Sequence, residues 1–523
     1  MNQFKFKIIG AAFVLFLFSS CVDDLNTEPK VELTLEKLLE QDPNAVDGLV
    51  SKIYGTFALS GPDGPASTDV VTQDPGEAAF LRGIINLQDF SADGMKNRWG
   101  DDGLDQLTTT IGWTPNNKFF RYLYDRAYYT IPQASNLIKI LKTTSVAVSE
   151  KENHIAELRF LRALAYYYVI DCFGKGAITT EDDINTSTPK KESNRKELFA
   201  FIESELKDIE GTITATKSYG KADKNVVRML LAKLYLNAEV YTGTQRYDDA
   251  LLYSKKVIDE GGYTLAPSFV SVFSGDNNTS PEIIYTLIAD AVVSQGYGNT
   301  TYIVNGNLST ETMNPNDFGA TDGWGGHRAT KAWYGLFNNG NLAGSTDDRA
   351  KLFWTTGHSY EMNDYKKWTD GYPSVKFRNK NFVGASNSTS FSNTDFPLFR
   401  LADVYLMYAE CVVRGANGGS TALALEYVND IRDRSHAGEI TAGELNLDFI
   451  LNERARELNL EGHRRQDLIR FGKFTGGSYL WPWKGGVKDG TSIPDTYNLY
   501  PIPTSALQSN SNLTQNPGYP QSN

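Results

Sequence analysis

The chain has 523 residues, a formal net charge of −12 and a pI of about 5.1. That acidic balance excludes a nucleic-acid partner, which would require a basic face against phosphate, while 41% hydrophobic residues suffice for a large core. Aromatic residues are plentiful, with 28 Tyr, 27 Phe and 8 Trp; a surplus beyond the core suits packing on flat, weakly polar faces such as sugar rings, and Tyr-rich helix packing is the competing account.

In chain order, residues 1–20 read as a secretory leader. Lys5 and Lys7 precede a short apolar run over 8–18, too short to span a bilayer comfortably. Ser19 and Ser20 then lead into Cys21. This resembles a bacterial lipoprotein signal, in which Cys21 is lipidated and starts the mature chain; an ordinary leader with an incidental Cys is the alternative. Residues 21–32 are polar and read as a tether, and 33–523 as one domain. Residues 61–113 are predicted to be loop-rich.

Amphipathic helices dominate 114–263. Three-and-four spacing of Phe119, Phe120, Leu123, Tyr124, Ala127, Tyr128 and Ile131 predicts a helix over 118–142. Further helices are predicted over 149–173, 193–213, 224–241 and 247–261. Residues 226–265 have the form of a tetratricopeptide unit, two antiparallel helices with Ala250 at a close approach, and 400–434 form a second such region. Between them, 264–396 are rich in Gly, Asn, Ser and Thr and read as loops and short strands. Loops on a rigid scaffold are where binding residues tend to sit. The tail from Gly472 is again loop-rich. Cys172 and Cys411 lie in apolar helical stretches without metal spacing and are expected as buried free thiols.

Catalytic signals are sparse. Glu453, Glu457 and Glu461 recur at four-residue spacing beside His463, but Arg454, Arg456, Arg464 and Arg465 surround them, so ion pairing on a helix surface is the expectation. The five histidines (His154, His327, His358, His436, His463) show no metal-binding spacing, and no P-loop, GxGxxG-to-helix or GxSxG motif occurs. The chain is therefore not expected to be an enzyme; a glycoside hydrolase stays as the unfavoured alternative. No cofactor or metal site is expected, and calcium binding in the loop half is not predicted.

Three separated stretches, IAELRFLRALAYYYVIDCFGKG, ERARELNLEGHRRQDLIRFGKF and YPIPTSALQSNSNLTQNPGY, resemble the SusD/RagB family of nutrient-binding outer-membrane lipoproteins. Asp23 and Asp24 resemble the acidic surface-export signal that follows the lipidated Cys in Bacteroidetes lipoproteins. GKADKNVVRMLLAKLYLNAEVYTGTQRYDDA, SYLWPWKGGVKDGTSIPDTYNLYPIP and GYGNTTYIVNG are similar to the family's starch-binding founding member. The resemblance implies a mainly α fold, SusD-like, with tetratricopeptide-type helix pairs packed against a loop-rich half with short strands. It implies capture of an α-glucan (starch, glycogen or maltooligosaccharides) and delivery to a SusC-like TonB-dependent transporter, from a lipid-anchored position on the outer membrane, facing outward. The same role for a β-1,3-glucan such as laminarin is the alternative.

For the site, the resemblance implies an arc of aromatic rings. Tyr297 in YGNTTY and Trp324 in DGWGG match two of its members, and Trp99 in NRWGDD is the candidate third. Asp74 and Arg82 in QDPGEAAFLR keep the types and spacing of the family's hydroxyl-reading pair. Where the family has an Asn near the first Trp, this chain offers Asp101 or Asp102, whose carboxylate accepts from hydroxyls. The competing account makes Trp99, Tyr297 and Trp324 loop anchors and Asp74–Arg82 a local salt bridge. Trp481 and Trp483 are expected to be structural.

Overall fold

The computed structural model describes residues 35–521 apart from 101, 102 and 187. The leader, Cys21, the tether and both Asp101 and Asp102 lie outside the described residues.

The helices are α1 Ala45–Ala58, α2 Lys118–Thr143, α3 Lys151–Cys172, α4 Arg195–Ile209, α5 Lys224–Leu236, α6 Tyr247–Glu260, α7 Thr300–Gly306, α8 Leu401–Val413, α9 Thr421–Arg434, α10 Leu447–Leu458 and α11 Arg464–Arg470, joined by shorter turns. Six of these starts, those of α2, α4, α5, α7, α9 and α10, carry side-chain caps. Asn117 accepts the Phe119 N–H, and Asn194 with Glu197 forms a reciprocal capping box on α4. The sequence placed α2 to α6 to within a few residues, with one difference. The stretch predicted as a single helix over 224–241 breaks at Asn237, whose amide donates to the Lys233 carbonyl and competes with the helical ladder.

Helix α2 packs on α3, α3 on α4, α5 on α6, α6 on α8 and α8 on α9. The two predicted repeat units, α5–α6 and α8–α9, are thus neighbours in space through α6 and α8. The scaffold is continuous although residues 264–396 interrupt it in sequence. That intervening region holds short strands, 3₁₀ turns and the single-turn to two-turn helices α7 and Lys331–Tyr334. Among the described residues, three antiparallel two-stranded sheets tie the loops: β1 Met95–Asn97 with β5 His327–Ala329, β2 Gly176–Ala177 with β3 Glu192–Ser193, and β4 Ile283–Leu287 with β6 Phe396–Arg400.

Two expectations are corrected. Within the predicted loop region 61–113, residues 80–90 are helical, passing from an α-turn (Phe80–Ile84) into a π-turn (Ile85–Phe90), and every one is buried. A segment buried on all sides shows no polar face, so it carries no helical period to read.

The second concerns Glu453, Glu457 and Glu461, which are not on a surface: all three are buried. Their partners come mostly from distant segments. Arg349 meets Glu453 and Glu457 at 2.8 Å, and Arg400 meets Glu282, Glu457 and Glu461 at 2.6–2.8 Å. Arg434 joins Glu282 and Glu457, and Lys376 joins Glu461. Of the four local arginines only Arg456 pairs with this group, through Glu453; Arg454 turns to Asp403 and Asp467, and Arg464 to Asp93. A buried charge is tolerable only when paired and hydrogen-bonded, and here each carboxylate is shared by several donors. The network fixes how α8, α9 and α10 meet the interrupting region. Cys172 and Cys411 are buried free thiols. Trp481 is buried, and the Trp483 indole donates to the Met362 carbonyl.

Candidate aromatic cleft

The β1–β5 pair builds the first wall. Asn97 lies opposite His327, and the Arg98 N–H donates to the Gly326 carbonyl at 2.9 Å. The chain then turns out with Trp99, whose N–H is held by the Asn97 side chain at 2.7 Å. A Cβ at Gly326 would lie 2.5 Å from the Trp99 ring, so only glycine lets that indole lie flat on the β5 approach. Trp324 sits two residues earlier. Its N–H donates to the Asn305 carbonyl at 2.7 Å, and the Gly326 N–H donates to the Gly306 carbonyl at 2.8 Å, so the turn is fastened to the last turn of α7.

The opposite wall is two interlocked loops. Asp74 caps a 3₁₀ turn (Pro75–Ala78), accepting the Gly76 N–H at 3.0 Å. A Cβ on Gly298 would meet the Gly76 carbonyl at 2.1 Å, and the Arg82 N–H donates to the Gly298 carbonyl at 3.1 Å. This close seating carries Tyr297 outward, 45% exposed.

The result is a row of rings. Trp324 lies between Trp99 and Tyr297, with centroid separations of 6.5 and 6.4 Å and interplanar angles of 46° and 45°. The three stand side by side, each tilted against the next, with Trp99 and Trp324 half-buried. They line an open cleft of about 520 Å³ together with Asp74, Glu77, Arg82, Leu104 and Phe119. Five of the six protein residues expected at the site therefore face one cavity; the sixth, Asp101, is outside the described residues.

Beneath the rings is a layer of buried support. The Arg82 guanidinium is mostly buried and rests 4.5 Å above the Tyr302 ring, with its Nε unpartnered. Its nearest carboxylate is Glu77 at 3.6 Å, and Glu77 is also held by Lys118 at 2.7 Å. The expected alternative of a local Asp74–Arg82 salt bridge does not form; Asp74 keeps a carboxylate oxygen free toward the cleft. Burial pushes the Tyr302 phenol up to about 12, against a smaller opposing pull from Arg82, so it stays a neutral hydroxyl, donating to Asn86 at 2.7 Å. His327 packs under Trp99 at 5.4 Å and against Tyr302 at 4.6 Å. Burial, then Arg82 and Arg328, hold its imidazole well below the usual range, so it remains neutral.

Glu77, Leu104 and Phe119 were not anticipated. Glu77 lies within the QDPGEAAFLR string, but its partner Lys118 comes from α2, which no local pattern links to it. Phe391, whose ring lies 5.0 Å from Tyr297, also escaped notice. Among the described residues, no group of three or more His, Cys, Asp or Glu is placed to hold a metal, and no helix is long and apolar enough to cross a membrane.

A helical-repeat scaffold presenting an open cleft paved with tilted rings and edged by Asp74, Glu77 and Arg82 defines a ligand-binding protein of the tetratricopeptide-like, loop-decorated class. The chain belongs to the SusD family. The family model matches residues 344–519. The chain is 32% identical to the starch-binding protein SusD of Bacteroides thetaiotaomicron, over 98% of both chains, and 25% identical to a SusD-like protein, P25, of Formosa agariphila, over 89% of this chain and 90% of that one. Among solved structures it resembles surface glycan-binding protein A of Bacteroides thetaiotaomicron in complex with laminarihexaose, with a TM-score of 0.68 and 19% identity, covering 90% of this chain and 99% of that one.

Proposed function

We propose that this protein is a surface lipoprotein that binds α-glucan and passes it, uncut, to a SusC-like TonB-dependent transporter. The observation that carries the reading is the row Trp99–Trp324–Tyr297. A glucopyranose ring offers axial C–H groups on its faces, and these pack on aromatic faces. Rings set at about 45° to one another suit a polymer that curves, as a 1,4-linked α-glucan does. Each such contact contributes about 0.5–1.5 kcal/mol beyond area burial, by analogy with aromatic pairs. Three together, with hydroxyl contacts to Asp74 and Arg82, give affinity of order 4–8 kcal/mol, micromolar to millimolar. Weak binding suits a protein that must release its cargo. The starch-binding relative supports the choice of glucan.

A β-1,3-glucan is the second reading, favoured by the laminarihexaose-bound structural neighbour. Affinity electrophoresis in gels containing starch, glycogen or laminarin decides between them: retardation by starch and glycogen is expected, and retardation by laminarin alone would reject the α-glucan reading. Hydrolysis is disfavoured because Glu77, the carboxylate accompanying Asp74 in the cleft, is engaged by two cations, whereas a proton-donating acid needs an apolar surrounding. Release of reducing ends from amylopectin at enzymatic rates would overturn this. Lipidation at Cys21 supplies the anchor in this reading, since several acyl chains at roughly 0.8 kcal/mol per buried CH₂ hold a protein firmly on a membrane.

A further inference from the structure

The aromatic row does not stop at Tyr297. The half-buried Phe391 ring lies 5.0 Å from Tyr297 at an interplanar angle of 54°, tilted against it as the preceding rings are against each other. Its loop is held as firmly as the others. The Phe391 carbonyl accepts from the Thr389 hydroxyl at 2.6 Å and from the Asn379 amide at 3.4 Å. The next residue, Ser392, donates its N–H to the Thr301 hydroxyl on α7 at 2.9 Å. The Thr321 N–H donates to the Thr389 carbonyl at 3.2 Å, so the segment is also tied to the loop that presents Trp324. Helix α7 thereby anchors two of the rings: Trp324 over its last turn and Phe391 over its first.

From this we infer that Phe391 is a fourth stacking ring that extends the cleft by a further sugar and sets its preference for longer chains. The inference rests on the α-glucan reading above. A ring that only backed Tyr297 would support every ligand alike. A ring that touches sugar contributes only to ligands long enough to reach it.

The test is titration calorimetry of the parent protein, Phe391→Ala and Phe391→Leu with maltoheptaose and with the shortest maltooligosaccharide that binds the parent measurably. Leucine keeps apolar bulk behind Tyr297 but offers no flat face. Both variants are expected to bind maltoheptaose about three- to tenfold more weakly, the worth of one stacking contact, and to bind the short ligand within twofold of the parent. Equal loss for both ligands, or full retention by Phe391→Leu, would reduce Phe391 to a packing role and overturn the inference. If the parent bound no maltooligosaccharide, the α-glucan reading would fall and this inference with it, an outcome distinct from the other two.

Discussion

Replacing Trp324 by alanine isolates the central ring, since that indole touches both Trp99 and Tyr297. If a sugar covers about 60–80 Å² of the exposed indole, the lost burial at about 25 cal/mol per Å² is ~1.5–2 kcal/mol. The lost stacking adds about 0.5–1.5 kcal/mol. Together they predict binding weakened by roughly 30- to 350-fold, which moves a micromolar-to-millimolar interaction out of the range of gel retardation. The fold should survive. The Trp324 turn is held by backbone hydrogen bonds to Asn305, Leu308 and Gly306, none of which needs the side chain. The assay is retardation in a starch gel, with circular dichroism and thermal unfolding as controls. Undiminished retardation by a folded Trp324→Ala protein would refute the ring-stacking argument.

Other outcomes follow from the same geometry. Arg400→Met removes a guanidinium shared by Glu282, Glu457 and Glu461 and strands their charge, so stability in urea should drop by about 3–5 kcal/mol; a loss below about 1 kcal/mol would mean the network is solvated. Acid should unfold the protein in a defined window. Burial alone would raise the Glu453 carboxyl, but Arg349, Arg456 and Arg432 outweigh it and hold it at about 2, against an ordinary 4.5, and Glu457 is likewise held low by Arg434, Arg400 and Arg349. A depressed folded value means stability that is complete above pH 4.5 and is lost as pH falls toward 2, so the thermal midpoint should decline through that interval; a midpoint unchanged down to pH 3 would contradict it. Cys21→Ala should leave the protein off the membrane, checked by fractionation; recovery with the outer membrane would exclude lipid anchoring.

What the sequence disclosed and what it withheld divide along physical lines. Helices α2, α4 and α6 bury one face and leave the other at least partly exposed, which is the pattern periodicity detects. Residues 80–90 bury every face and were mistaken for loop. Charge spacing around Glu453 suggested a solvated helix face because arginines nearby in sequence are visible and those at 349, 400 and 434 are not. Of the cleft, Trp99, Tyr297, Trp324, Asp74 and Arg82 were named through motifs in glycine-rich turns, whereas Phe391 sits in a Ser/Asn/Thr string with no distinguishing pattern, and its meaning depends on Tyr297, nearly a hundred positions earlier in the chain.

The rings arrive on segments that meet only when β1 has paired with β5 and the Gly76 and Gly298 loops have interlocked. No fragment of the chain can hold such a surface, and neither can a partly opened form, so ligand recognition is linked to global rather than local folding. A saccharide at a hundred times its Kd would therefore protect the entire molecule, including α-helical parts far from any contact, by about 2.7 kcal/mol. Resistance to heat or protease, scanned across a panel of polysaccharides, becomes a readout of which of them the protein binds.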